Sequence, residues 1–151
     1  KPPRHCTAGT IWPWIPRATT EITRIQTFQK VNLLVNFAVE RDVLIFKSSF
    51  IEFYRSQESK VQQKIEFVLD LIRHERAVPA KFFKRLHNTQ GLYEVRVITP
   101  QKSIRILGFL DEGNLVVLTN GFIKKTQKTP RREIEKAKRL RDEYYNSQKE
   151  R

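Results

Sequence analysis

Three runs of β-forming residues, Tyr93 to Ile98, Ser103 to Leu110 and Leu115 to Thr119, are separated only by Thr99-Pro100-Gln101-Lys102 and Asp111-Glu112-Gly113-Asn114. Breaks this short and this rich in turn residues leave no room for the crossover that parallel neighbours need, so the runs must form an antiparallel meander. Loop length sets the register. With residues 99–102 as the first loop, Ile98 pairs with Ser103 and Arg96 faces Arg105. With residues 111–114 as the second, Asn120 faces Arg105 and the chain runs on into Gly121-Phe122-Ile123-Lys124-Lys125. Tyr93, Val95, Val97, Ile104, Ile106 and Leu110 then share the opposite face, an apolar surface that helices must cover.

Those helices are written upstream. Phe37 to Phe46 contains a β-rich run, and Ser49 with Glu52 has capping-box spacing for a short helix. Ser59 with Gln62 repeats the signal before Val61, Ile65, Val68, Leu69 and Ile72, which form one apolar helical face ending near Glu75 or Arg76, ahead of Pro79. The two helices make an αα-hairpin. Downstream, Thr129-Pro130 serves as N-cap and first residue of a basic helix with Ile134, Ala137, Leu140, Tyr144 and Tyr145 as its inner stripe. The expected class is α+β, a small antiparallel β-sheet packed by an N-terminal αα-hairpin and a C-terminal helix.

A chain of 151 residues suits one core. Residues 1 to about 30 differ from the rest, carrying Pro2, Pro3, Pro13, Pro16 and the Trp12-Pro13-Trp14 cluster without periodicity. The division expected is an N-terminal extension of uncertain status over residues 1–36, either an appendage or a docking arm through Trp12 and Trp14, and a folded domain over residues 37–151. The mainly apolar stretch Val31 to Val39 falls far short of the ~20 residues of a membrane span. A single cysteine, Cys6, forbids an intramolecular disulfide and fits a reducing, cytoplasmic setting, and three scattered histidines offer no metal-ligand spacing.

The charge points to a polyanion: 29 Lys and Arg oppose 16 Asp and Glu, a net +13. Residues 121–151 hold 11 of those cations against 5 acids. Directly opposed arginines destabilise a sheet by up to ~1 kcal/mol, so Arg96 and Arg105 call for a compensating anion or simple solvation. Glu94 is one answer. A phosphate is the other, since arginine presents a planar fork to two oxygens while lysine adds a mobile point charge. Leu107 and Phe109 share the arginine face, offering apolar area to an unstacked base unless helices cover them.

The segments Gly91-Leu92-Tyr93-Glu94-Val95-Arg96, Arg105-Ile106-Leu107-Gly108-Phe109 and Gly121-Phe122-Ile123-Lys124-Lys125-Thr126-Gln127-Lys128-Thr129-Pro130, with Glu133 and Ala137, together resemble the phage-derived, HigB-type branch of the RelE toxin superfamily. The likeness spans about Phe37 to Asp142. It implies the RelE-like fold and the toxin of a type II toxin–antitoxin pair. Such a toxin is a ribosome-dependent mRNA endonuclease, acting by metal-free attack of a 2′-hydroxyl on the neighbouring phosphate. It also implies two partners, mRNA on the ribosome and a helix-turn-helix, HigA-like antitoxin through which operator DNA is met, and no cofactor or metal. On this resemblance Arg96, Arg105, Lys124 and Lys125 are the catalytic candidates, with Lys128, Arg131, Arg132 and Phe109 as RNA-binding candidates. RelE carries two lysines where this chain has Glu94 and Arg96, and a tyrosine where it has Thr129-Pro130, so the general acid and base stay open. His87, Tyr93, Tyr144 and Tyr145 are better read as structural or incidental. A non-catalytic RNA-binding module of the same fold is the alternative function. A DNA-binding domain is disfavoured because no helix-turn-helix is apparent.

Overall fold

The computed structural model describes residues 41–112 and 114–150; the expectations for residues 1–36 lie outside them. In chain order the elements are β1 (Asp42–Ile45), α1 (Ser49–Arg55), α2 (Ser59–His74), β2 (Phe83–Arg85), β3 (Leu92–Ile98), β4 (Ser103–Asp111), β5 (Leu115–Ile123) and α3 (Arg131–Lys149). The class is α+β. Three helices flank a five-stranded sheet ordered β1-β5-β4-β3-β2.

Two features correct the expected sheet. It is mixed rather than antiparallel, because β1 runs parallel to β5, with Asp42 beside Leu115 and Ile45 beside Leu118. It also carries β2, paired antiparallel with β3 and not among the β-forming runs named above. The run Val43-Leu44-Ile45-Phe46 is apolar without alternation because both faces of β1 are covered: Val43 and Ile45 join the core under α1 and α2, Leu44 and Phe46 the core under α3.

The β3–β4 register is the expected one, Ile98 opposite Ser103 and Arg96 opposite Arg105. The β4–β5 register is not. Asp111 pairs with Leu115, leaving three residues between the strands, and an irregularity at Leu107/Gly108 leaves Thr119 unpaired, so that Phe122 faces Arg105 and Asn120 faces Leu107. One unpaired residue reverses which side chains point where. Val116 and Leu118 therefore lie under the helical hairpin and Asn120 on the α3 side.

Val61, Ile65, Val68, Leu69 and Ile72 are all buried, packed on Val95, Val97, Ile104 and Ile106. Leu110, expected there, is exposed at the strand end. Neither capping box forms: α1 begins after Ser48 and α2 after Glu58, without side-chain caps, and α3 begins after Pro130. The far end of α2 is closed instead by Arg41, whose Nη1 donates to the carbonyls of Ile72 (2.9 Å) and Glu75 (2.6 Å) and whose Nη2 donates to that of Arg76 (2.9 Å). This satisfies helix-end acceptors with a cation, where the helix dipole favours one.

Across the hairpin the Tyr54 hydroxyl donates to Glu66 Oε1 at 2.6 Å. Burial raises the Glu66 carboxyl above its ordinary range, with the phenol opposing. Between the ordinary and the raised value the native state holds more protons than the unfolded chain, so this group lowers stability as pH climbs through that window. Glu66→Gln, which still accepts from Tyr54, is expected to unfold at higher urea than the parent at about pH 7. The gain should vanish near pH 4; a variant weaker than its parent at both pH values would refute it.

Candidate nucleic-acid interface and active site

On the face of the sheet covered by α3, strand alternation brings Glu94, Arg96, Arg105 and Leu107 together. Glu94 is 1 % exposed, and a carboxylate so buried must be paired. Its Oε2 accepts from Arg96 Nε at 2.9 Å, and its Oε1 accepts from the Thr129 hydroxyl at 2.9 Å. Arg105 Nε stands 3.4 Å from Oε1, close enough for an ion pair but not aligned for a hydrogen bond. The carboxylate thus draws both guanidiniums to one place, and the opposed cations have an internal counterion.

Arg105 is itself buried, with Nη1 donating to Ser103 Oγ (3.0 Å) and to the Ile104 carbonyl (2.9 Å). Burial lowers its pKa from the ordinary guanidinium value; Glu94 opposes that and Arg96 adds to it. Its Nε has no hydrogen-bond acceptor among the described residues, and such buried donors are rare. Two positive groups around one negative one leave a net positive pocket with unused donors.

The basic segment after β5 is fastened to this pocket at both ends. The Lys124 amide donates to the Ser103 carbonyl at 2.7 Å, next to the hydroxyl that holds Arg105. Five residues on, Thr129 reaches back to Glu94. Lys124 is half-buried; Lys125 and Lys128 are exposed between the two anchors. Arg131 and Arg132 lie exposed in the first turn of α3, Arg132 with its Nε 3.4 Å from Glu133. Asn120 steadies that turn, its amide donating to Glu133 Oε2 at 2.9 Å.

Phe109 is a correction. It is 1 % exposed, with ring contacts to Tyr144 and Tyr145 at 5.3 and 5.5 Å, and belongs to the core, with no face for a base. Tyr144 is buried and donates to Asp111 Oδ2 at 2.6 Å. For Tyr145, burial and then Asp111 raise the phenol further, which makes it a poorer acid. Tyr93 stacks on Phe83 with centroids 4.8 Å apart, as befits a structural ring, and His87 is exposed between β2 and β3. Among the described residues no group of three or more His, Cys, Asp or Glu is placed to hold a metal ion, and no helix is long and apolar enough to cross a membrane.

The family model described as phage derived protein Gp49-like (DUF891) matches residues 52–142. The chain belongs to that family. The Gp49-like proteins are a RelE/HigB-like toxin family, and the match takes in Glu94, both arginines, Lys124, Lys125, Lys128 and the start of α3. No curated protein matches the chain. Within this Gp49-like domain, sequence reasoning named the arginines and the lysine segment but missed two contributors. Thr129 looked like a helix cap, and its spacing gave no sign of the bond to Glu94. Arg141 carries no signal of its own among the cations of the C-terminal helix, yet it is buried, donating to the carbonyls of Thr89 (3.4 Å) and Gln90 (2.7 Å) and fixing the turn that leads into β3.

Proposed function

We propose that this chain is the toxin of a type II toxin–antitoxin pair, an mRNA interferase that cleaves translated messages on the ribosome. The observation that carries the reading is the paired guanidinium pocket: Arg96 and Arg105 gathered on buried Glu94, with donors left over and a lysine segment pinned beside them. The reaction is attack of an RNA 2′-oxygen on the adjacent phosphorus, with the bond from phosphorus to the 5′-oxygen breaking. A 2′,3′-cyclic phosphate and a 5′-hydroxyl result. One proton leaves the attacking hydroxyl and one reaches the departing oxygen. The protein supplies no nucleophile, only alignment, charge stabilisation and proton transfer. Arg96 and Arg105 take the phosphoryl oxygens. Lys124 or Lys125 gives the proton to the departing oxygen, and Lys128, Arg131 and Arg132 hold the flanking backbone. A helix-turn-helix antitoxin is the proposed partner that keeps the toxin silent.

A binding module without cleavage is the second reading, favoured by the same Glu94, which already neutralises one of the two guanidiniums. Inducible expression with mapping of transcript ends, followed by a reconstituted ribosome assay, separates the two. Growth arrest and cuts inside translated frames are expected. Ribosome or RNA binding without new 5′-hydroxyl ends would replace the nuclease by the module.

A further inference from the structure

We propose that Lys84, on the edge strand β2, is an RNA-backbone contact that extends the arginine pocket by one strand. This rests on the reading that the α3 face of the sheet meets single-stranded RNA. Lys84 is opposite Glu94, Glu94 opposite Leu107 and Leu107 opposite Asn120, a row across four strands. Opposed residues share a face, so the Lys84 side chain leaves the sheet on the same side as Arg96 and Arg105. Arg96 is its diagonal neighbour across the β2–β3 pair, at a typical spacing of about 7–8 Å that long side chains bridge.

Lys84 does not serve the buried carboxylate it faces. The oxygens of Glu94 are taken up by Arg96, Arg105 and Thr129, and Lys84 is exposed with no hydrogen bond, ion pair or ring contact among the described residues. A free ammonium at the open rim of a cationic pocket suits a flanking phosphodiester, which needs charge more than geometry. Lysine on an edge strand also discourages strand-to-strand aggregation. That purpose would be met equally by Arg85, the next residue, which is exposed, faces Tyr93 and lies on the opposite side of the sheet. The two cations carry the same charge on the same strand and lie on opposite faces.

The experiment compares Lys84→Gln with Arg85→Gln in the full chain. Binding of a 2′-O-methylated single-stranded RNA oligonucleotide, which can be held but not cut, is followed by fluorescence anisotropy across a salt series. Thermal unfolding verifies that both variants are folded. Lys84→Gln should bind several-fold more weakly, with a salt slope shallower by about 0.7, the value for one phosphate contact on a single strand. Arg85→Gln should match the parent. Parental binding by Lys84→Gln, equal losses in both variants, or no oligonucleotide binding by the parent would overturn the assignment. Cleavage is scored separately on ribosomes: binding lost at Lys84 in a protein that never cuts sinks the interferase and leaves Lys84 standing. A parent that cuts on ribosomes with Lys84→Gln binding unimpaired does the reverse.

Discussion

Arg105→Lys is expected to lose the proposed cleavage by a factor of about a hundred or more with its stability nearly intact, whereas Arg105→Ala loses cleavage and part of its stability as well. The difference comes from what the guanidinium does at once. Its charge sits 3.4 Å from a carboxylate that is 1 % exposed, and its Nη1 is spent on Ser103 and on the Ile104 carbonyl. Removing one partner of a buried ion pair costs about 3–5 kcal/mol when the other charge is left alone. Here Glu94 keeps Arg96 and Thr129, so a loss of about 2 kcal/mol is the expectation for alanine. Lysine restores the charge and most of that stability. It does not restore the planar fork, and losing one aimed donor to a developing oxyanion costs about 10²–10³ in rate. Cleavage in a reconstituted ribosome assay beside thermal unfolding reads both quantities. A lysine variant cutting at the parental rate would show that position 105 supplies charge alone and that its planar fork gives nothing to the phosphate.

The parts of this fold that were legible in the sequence are those set by short range. The α2 stripe from Val61 to Ile72 was readable because a 3.6-residue period needs no knowledge of the partner. Arg96 facing Arg105 was readable because a four-residue loop leaves little freedom of register. Pairings made at a distance were not. β1 finds β5 some seventy residues later, and nothing in Asp42–Ile45 names that partner or its parallel direction. β2 is three residues long, too short to show alternation, so Lys84 was not seen to share a face with the arginines. Burial by a later element also escaped: Phe109 alternates correctly onto the arginine face, but α3 seals it through Tyr144 and Tyr145. Glu94 was visible as a compensating charge. Its depth was not, because it depends on Thr129 returning from beyond β5.

Gly108 is the position where a single methyl group should do the most damage to the sheet. A Cβ built there would lie 2.4 Å from the Val117 carbonyl oxygen and 3.2 Å from its carbonyl carbon, both backbone atoms of the neighbouring strand. It stands beside the irregularity where the β4–β5 register shifts, so close strand approach and the unpaired Thr119 belong to one local solution. Glycine within a strand marks such approaches of another backbone. Gly108→Ala must move β5 or forgo pairing, and a central strand has no room to move: overpacking of this kind costs about 1–3 kcal/mol or more. The upper end is expected, with a fall in melting temperature of about 10 °C. Gly121 gives the contrast. A Cβ there would also come within 2.4 Å of an atom, but that atom and the next two, at 2.9 and 3.0 Å, belong to the half-buried Phe53 ring, which can turn aside. Gly121→Ala should therefore lose less than half as much. Because the shift at Gly108 also brings Asn120 round to Glu133, the Gly108→Ala protein should loosen the first turn of α3 as well. Faster amide exchange at Glu133 and Ile134, absent from Gly121→Ala, is the sign to look for. Equal melting temperatures for the two alanine variants would mean that β5 slides more freely than this packing allows.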